Sequence, residues 1–419
     1  MIAFGFSLAW LYQLFFDGAF QLYAIIAVFN IIFCMPYNLL VKRFSHPAYA
    51  ALFGAALWTA IEYYRCELFF LCFAWITPGT AFGPNWLLPY VGVYGVSFVI
   101  VFFSFSLIRR KTWPLAAVLG VLLAILGLAR PPLVEVTPEH GIKVAILQSE
   151  ECYFPAYMEL TNSIEQENPD LIVWPEYSLP YDVRGVRQDY NDLLELCAKM
   201  NAVLVLGTKT TLGEESWNWH NTALALNADG VLGEYYKNRP VHFLNDGIPG
   251  DSYEPIKTEL GLIGTPICFD CDYTEVCRRI VKQGAEFFAI PSFDAKSWTA
   301  TQHLQHSELF KLRAVENGRW IALSTSSGVS QFIDPHGKVH QSIPPMEEGV
   351  IVGHLVRESK LTFYTRIGWL FPWLTMIATI GIIFTKVWQI ISERKCAKPG
   401  TALTETPIMT GPPENPPEH

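Results

Sequence analysis

Three short runs set chemistry-bearing side chains just past apolar segments. Trp174-Pro175-Glu176 places a carboxylate after one, Tyr235-Tyr236-Lys237 an amine after another, and Pro266-Ile267-Cys268-Phe269-Asp270 a thiol after a third. A cysteine at a strand-to-helix turn is placed for nucleophilic attack. Free backbone N–H groups there stabilise an oxyanion, and the local field is expected to lower the thiol pKa. A glutamate can take the thiol proton, and a lysine can hold the charge of a tetrahedral intermediate. A rival reading attaches to the thiol. Cys268-Phe269-Asp270-Cys271 has the spacing of a redox or structural disulfide pair, although that leaves Glu176 and Lys237 without a role. The remaining cysteines form no zinc-like pairing, His303-x-x-His306 reads as a surface or supporting pair, and Trp217 and Trp219 read as part of a packed hairpin. No phosphate-binding glycine motif occurs, so neither metal nor cofactor is expected.

Those three runs need a sheet to hold them. Apolar, β-branched segments recur at 142–148, 171–174, 202–207, 221–227, 260–268, 287–291 and 321–325. Amphipathic stretches lie between several of them, at about 155–167, 188–200, 274–284 and 302–317. Strands alternating with helices, plus a hairpin-like pair around Asp229–Gly230, predict a mixed α/β sheet covered by helices. Loops at 150–156, 241–256 and 293–301 are placed to act as lids.

The rest of the chain is of another kind. Of its 419 residues 51% are apolar and only 16% charged, against about a quarter charged in soluble domains. The net charge of −9 excludes a general attraction to nucleic acid. The first third is faintly basic and the remainder acidic. Apolar stretches at about 2–16, 20–41, 48–72, 87–108 and 113–129, with a sixth at 367–391, approach the roughly 20 residues a bilayer core requires. Trp86, Tyr90, Trp113 and Trp369 sit near the proposed span ends, as an aromatic belt would. Lys42 and Arg43, Arg109 to Lys111, and Arg394 with Lys395 collect in three loops. All three fall on the cytoplasmic side if five spans precede the globular region and one follows it. The expected organisation is a membrane domain over 1–133 and an extracytoplasmic catalytic domain over 134–362. A C-terminal span over 363–391 and a disordered cytoplasmic tail over 392–419 complete it. Glu62, Arg65 and Glu67 interrupt the third stretch, and are expected to end that helix at the outer interface, with a lipid-accessible cleft as the alternative.

In this order, the three runs resemble the nitrilase (carbon–nitrogen hydrolase) superfamily, which implies a Glu–Lys–Cys triad on an α-β-β-α sandwich. Ser292-Phe293-Asp294-Ala295, Gln302-His303-Leu304 and Leu312 to Arg319 look like that family's segment after the nucleophile, as do Ser327-Gly328-Val329 and Ile333 to Gly337. With spans on both sides, the chain resembles the apolipoprotein N-acyltransferases of bacterial envelopes. Leu57 to Arg65 is similar to their Trp…Glu…Arg helix, and Thr362 to Trp369 to the approach to their last span. The resemblance implies a multi-pass enzyme of the bacterial inner membrane with its catalytic domain on the periplasmic side. Cys268 would take an acyl chain from a phospholipid and pass it to the amine of a diacylglyceryl-cysteine lipoprotein. Glu176 would be the general base and Lys237 the oxyanion partner. An amidase, an acyltransferase with another amine acceptor, and a non-catalytic envelope module are the alternatives. Two positions depart from the pattern. The family's glutamate eight residues after the lysine falls on Asn245, with Asp246 next, and its Tyr-Glu after the cysteine is Phe269-Asp270. Phe269, Asp270 and Asp246 are accordingly expected to support the triad or its oxyanion.

Overall fold

The computed structural model describes residues 8–16, 18–129, 132–136, 141–213 and 218–396. Residues 397–419 of the expected tail and Trp217 lie outside them, as does the beginning of the first apolar stretch.

Among the described residues, four helices are long and apolar enough to cross a membrane: Gly18–Arg43, Leu88–Ser106, Arg110–Leu128 and Gly368–Arg394. The other two expected spans differ. Of the first, the described part holds a six-residue helix, Trp10–Phe15. The third is a 17-residue helix, Pro47–Tyr63, that continues into a π turn, Tyr64–Leu68. It is also the most enclosed of the group, because Ala50, Ala51, Gly54, Ala55 and Ala56 let neighbours approach closely. Its terminal charges do not face water. Glu62, Arg65 and Glu67 are buried within the protein, at odds with the interface position expected for them. Arg43 pairs with Glu393 at 2.5 Å, so the basic ends of the Gly18–Leu40 and Phe371–Cys396 helices lie together, as one membrane face requires. The last helix runs to Cys396, so the first residues of the expected tail are helical.

The α/β part contains two six-stranded sheets. The first, ordered β12-β1-β2-β3-β4-β5, uses Gly349–Leu355, Ile142–Gln148, Leu171–Val173, Val203–Thr211, Trp219–Asn227 and Gly230–Tyr236. The second, ordered β11-β10-β9-β8-β7-β6, uses Val339–Ile343, Ser330–Ile333, Ile321–Thr325, Phe287–Ser292, Gly261–Gly264 and Ile256–Thr258. In each sheet three central strands run parallel and the flanking strands antiparallel. Central strands are apolar on both faces because both are covered. Val144 and Ile146 point with Phe287, Ala289 and Trp320 into the layer between the sheets. The alternate residues Ala145 and Leu147 meet Tyr157 and Leu193 of the helices Phe154–Asn162 and Arg187–Met200. On the second sheet Phe288 and Ile290 meet Ile280 and Phe310 of Thr274–Lys282 and Ala300–Asn317. The result is helix, sheet, sheet, helix, the α-β-β-α sandwich expected beside a helical membrane region.

The two regions are joined by polar contacts. The helix Leu88–Ser106 is kinked at Gly92, φ +66°, where a Cβ would stand 2.4 Å from the ring of Tyr364. The kink frees the Val93 amide, which donates to Glu316 Oε1 at 2.7 Å. Glu67 accepts from Thr274 and Trp75 donates to Asp272, both at the Cys268–Asp272 turn or the helix after it.

Candidate active site

Glu176 follows β2, whose ladder continues through the Trp174 amide to Val205 of β3. The turn then lies directly on β3, and only a glycine permits it. A Cβ on Gly207 would sit 2.4 Å from Glu176 Cα and 2.5 Å from the Pro175 carbonyl oxygen. Lys237 follows β5, with its amide donating to the Asn221 carbonyl of β4 at 2.9 Å. Cys268 comes from the other sheet, opening a 3₁₀ turn, Cys268–Asp272, at φ +48°. A non-glycine residue in that region is strained and persists only when its surroundings hold it. Asp270 is the holder. Its carboxylate accepts from the Ile267 amide at 3.1 Å, the Tyr235 hydroxyl at 2.9 Å and the Arg239 amide at 2.8 Å. Burial pushes Asp270 up to about 6. It ties the turn to the segment after Lys237, a supporting role that its short side chain fills. Phe269 packs its ring edge-on against Tyr273, centroids 5.2 Å apart.

The charged groups meet where the sheets end. Lys237 Nζ is 2.8 Å from both Glu176 Oε1 and Asp246 Oδ2. Asn221 Nδ2 spans the same two carboxylates, at 2.6 Å and 2.8 Å. Tyr177 donates to Asp246, and the Val241 amide donates to it at 2.7 Å. Asp246 thus supplies the carboxylate beside the lysine, and Asn245 does not. Burial opposes the charge on Lys237, but the two carboxylates outweigh it and hold the ammonium well above the usual lysine range. Burial raises Glu176, with Asp246 adding to the effect, while Lys237 and Asn221 pull against it. Asp246 stays below its ordinary value: burial would raise it, and Lys237, Tyr177 and the Val241 amide prevail. Glu176 Oε1 is fully engaged, whereas Oε2 is buried and meets no partner among the described residues. Of the Glu176 and Asp246 carboxylate oxygens it is the one left open, and Asn221 Oδ1 is also buried without a partner among the described residues.

The thiol corrects an expectation. Cys268 is only 5% exposed, and burial, followed by the Glu176 charge, pushes it well above the ordinary cysteine value. Lys237 lowers it by less. The resting sulfur is therefore a protonated thiol, lying 3.6 Å from the Phe293 carbonyl. Such a nucleophile needs a base at the moment of attack.

A model of the carbon-nitrogen hydrolase family matches residues 143–360, more than half of the chain. The chain belongs to the carbon-nitrogen hydrolase family. A model of the apolipoprotein N-acyltransferase N-terminal domain matches residues 1–106 of this carbon-nitrogen hydrolase. Over 370 residues it is 27% identical to the apolipoprotein N-acyltransferase of Pseudomonas aeruginosa, covering 77% of this chain and 71% of the relative. It is 25% identical over 332 residues to that of Aquifex aeolicus, covering 71% and 74%. Among solved structures, a carbon-nitrogen hydrolase from Helicobacter pylori aligns with TM-score 0.44 and 19% identity, covering 51% of this chain and 89% of that one.

In this carbon-nitrogen hydrolase the thiol opens onto a cavity whose walls are largely apolar and belong mainly to the membrane region. Trp10, Leu14, Ile26 and Trp75 line it with Phe243 and Trp298 from two of the loops expected to act as lids. Phe243 sits at φ +66° and packs edge-on against Phe15, centroids 6.1 Å apart. The third such loop does not line it, and is held to the 293–301 loop by Glu150, which accepts from the Lys296 amide and from Ser327 at 2.6 Å.

His306 also faces the cavity and is no surface residue. Its Nδ1 is 2.8 Å from Asp294 and its Nε2 3.4 Å from Asp272, and the ring stacks on Trp75 at 5.6 Å. Burial would lower its pKa, but Asp294 and Asp272 carry it up to about 10. A raised pKa contributes stability that is complete below the unfolded value of 6.5 and is lost as pH rises toward about 10. The gap in Tm between the protein and His306→Asn is accordingly expected to be widest near pH 6 and to close by pH 10. A gap independent of pH would show that no imidazolium holds the two aspartates.

Proposed function

We propose that the protein is an integral-membrane N-acyltransferase with Glu176, Lys237 and Cys268 as its catalytic triad. It moves an acyl chain from a phospholipid to the N-terminal amine of a diacylglyceryl-cysteine lipoprotein. The names of its relatives support the transfer, and the single observation that carries the reading is the cavity. A buried thiol, within the field of Glu176 and Lys237, opens onto an apolar chamber whose walls come mainly from the membrane region, which suits an acyl chain and not a small polar amide.

Glu176 Oε2 takes the Cys268 proton as Sγ attacks the ester carbonyl carbon. Two of the three Lys237 protons are committed to Glu176 and Asp246, leaving one for the oxyanion. The first N–H groups of the Cys268–Asp272 turn lack intrahelical acceptors and add to it. Collapse breaks the C–O bond, Glu176 returns its proton to the departing alkoxide, and the thioester remains. In the second half the acceptor amine attacks the thioester carbon and Glu176 takes its proton. The C–S bond then breaks and the proton returns to sulfur. Catalysis belongs on the periplasmic side of the bacterial inner membrane, the 134–362 region lying opposite the basic loops.

Peptide mass spectrometry of detergent-purified protein supplied with phospholipid tests this. A thioester on Cys268 is expected, discharged by a diacylated lipopeptide with matching mass gain on the peptide. An adduct that survives the lipopeptide would exclude this acceptor, and no adduct on a reduced thiol would exclude the transfer.

A further inference from the structure

Three charges enter the protein at the end of the Pro47–Tyr63 helix, of which Glu67 is matched and Glu62 half-matched, its Oε1 being buried without a partner among the described residues. Glu62 accepts from Trp58 Nε1 at 2.6 Å. Glu67 accepts from the Tyr94 hydroxyl at 2.8 Å and from the Thr274 amide and hydroxyl at 3.0 Å and 2.7 Å. Arg65 is different. Its guanidinium makes one hydrogen bond, from Nη1 to the Phe73 carbonyl at 2.8 Å, and forms no ion pair with a carboxylate among the described residues. The Phe73 amide donates back to the Arg65 carbonyl at 3.4 Å, so the arginine is clamped at both ends. It is only 8% exposed. A guanidinium has five donors and keeps its charge, and a buried cation without a counter-ion is costly.

The unmatched donors have somewhere to point. Arg65 lines the same cavity as Cys268, and also a smaller one shared with Phe33, Trp58 and Glu62 toward the membrane helices. Beside it on the chain Tyr64, Leu68 and Phe70 are exposed, Phe70 by 74%. Bulky apolar side chains turned outward at the end of a membrane helix belong against lipid.

We propose that Arg65 anchors the phosphodiester of the acyl-donor lipid, fixing its headgroup while the acyl ester reaches Cys268 through the shared cavity. This rests on the acyltransferase reading. The planar fork accepts two phosphate oxygens in parallel, a geometry lysine lacks. A neutral lipid leaves the guanidinium unmatched, so the site selects phospholipids over diacylglycerols. Inorganic phosphate offers the same oxygens, and the outward apolar side chains favour the lipid as their source.

The test uses the full chain in detergent. Cys268 acylation is measured with phosphatidylethanolamine and with a diacylglycerol of the same chains. Arg65→Gln is expected to reduce the preference for the phospholipid by about 10- to 100-fold, and Arg65→Lys by less. An unchanged preference, or equal loss with both donors, overturns the proposal. Native mass spectrometry of Cys268→Ala, with and without Arg65→Gln, reads phosphatidylethanolamine binding without chemistry. If no donor acylates Cys268, the acyltransferase reading fails while this comparison still decides the anchor: Arg65-dependent lipid binding supports it, and binding independent of Arg65 overturns it. Arg65-dependent binding of inorganic phosphate without binding of the lipid would make this a free-anion site and defeat the proposal.

Discussion

Cys268→Ala is expected to abolish acyl transfer, by at least about 10⁴-fold, with no acyl mass at position 268 and the fold intact. Of the other described thiols only Cys72 lines the same cavity, and its Sγ donates to the Phe69 carbonyl. Cys271 and Cys277 are also buried, 3.8 Å apart, and the cavity that reaches Cys268 is lined by neither of them. The same position offers a second readout, because its φ of +48° is imposed on a residue with a Cβ. Left-handed backbone costs an L-residue about 1–2 kcal/mol that glycine largely avoids. Cys268→Gly is therefore expected to be inactive yet to melt at a higher temperature than Cys268→Ala. Such a result would mean that the turn carries its strain to present the sulfur. Residual transfer by either variant, seen as mass gain on the lipopeptide, would remove Cys268 from the reaction.

Lys237→Met is expected to damage both stability and chemistry, and a second substitution separates them. Without the ammonium, Glu176 and Asp246 remain buried on either side of Asn221 with no cation between them. Removing one partner of a buried ion pair costs about 3–5 kcal/mol. Losing an oxyanion donor costs about 10²- to 10³-fold in rate. Adding Asp246→Asn removes the surplus negative charge, so Lys237→Met/Asp246→Asn is expected to recover most of the Tm and none of the activity. Recovery of thioester formation in that double variant would show that the lysine only neutralises Asp246.

How much of this site could be read in advance depended on where each residue sits on its element. Glu176, Lys237 and Cys268 stand just past apolar runs, and strand ends are visible in a sequence because the run stops. The carboxylate beside Lys237 was narrowed to Asn245 or Asp246, since no periodicity fixes a loop. Its position follows from contacts with Tyr177, Asn221 and Val241. Asn221 was missed because it lies inside β4, where one polar residue among apolar ones resembles a strand's solvent face. Its burial comes from the turn laid over β3. Burial and the Glu176 charge raise the thiol pKa where the turn alone would lower it, because a strand-to-helix turn can be recognised in sequence and the enclosure around it cannot. That enclosure is supplied by Trp10, Trp75 and Trp298, far from Cys268 along the chain. The α-β-β-α layering was legible from its buried parallel strands. Strands β10 and β11 are short and carry few apolar residues, and β12, although apolar, follows them with no helix between to mark it as part of the alternation.

The helix after the nucleophile turn begins under a carboxylate from elsewhere, since both donors of Thr274 go to Glu67. Glu316 likewise accepts from the Val93 amide, and Asp272 from Trp75. In each case the earlier residue leaves the ribosome first. The partners are therefore already in place when the second half of the catalytic region emerges, and the first half of the chain acts as its template. Cutting the chain between the regions would orphan buried donors and acceptors on both fragments. Neither piece would be expected to mature unless both were made in the same cell.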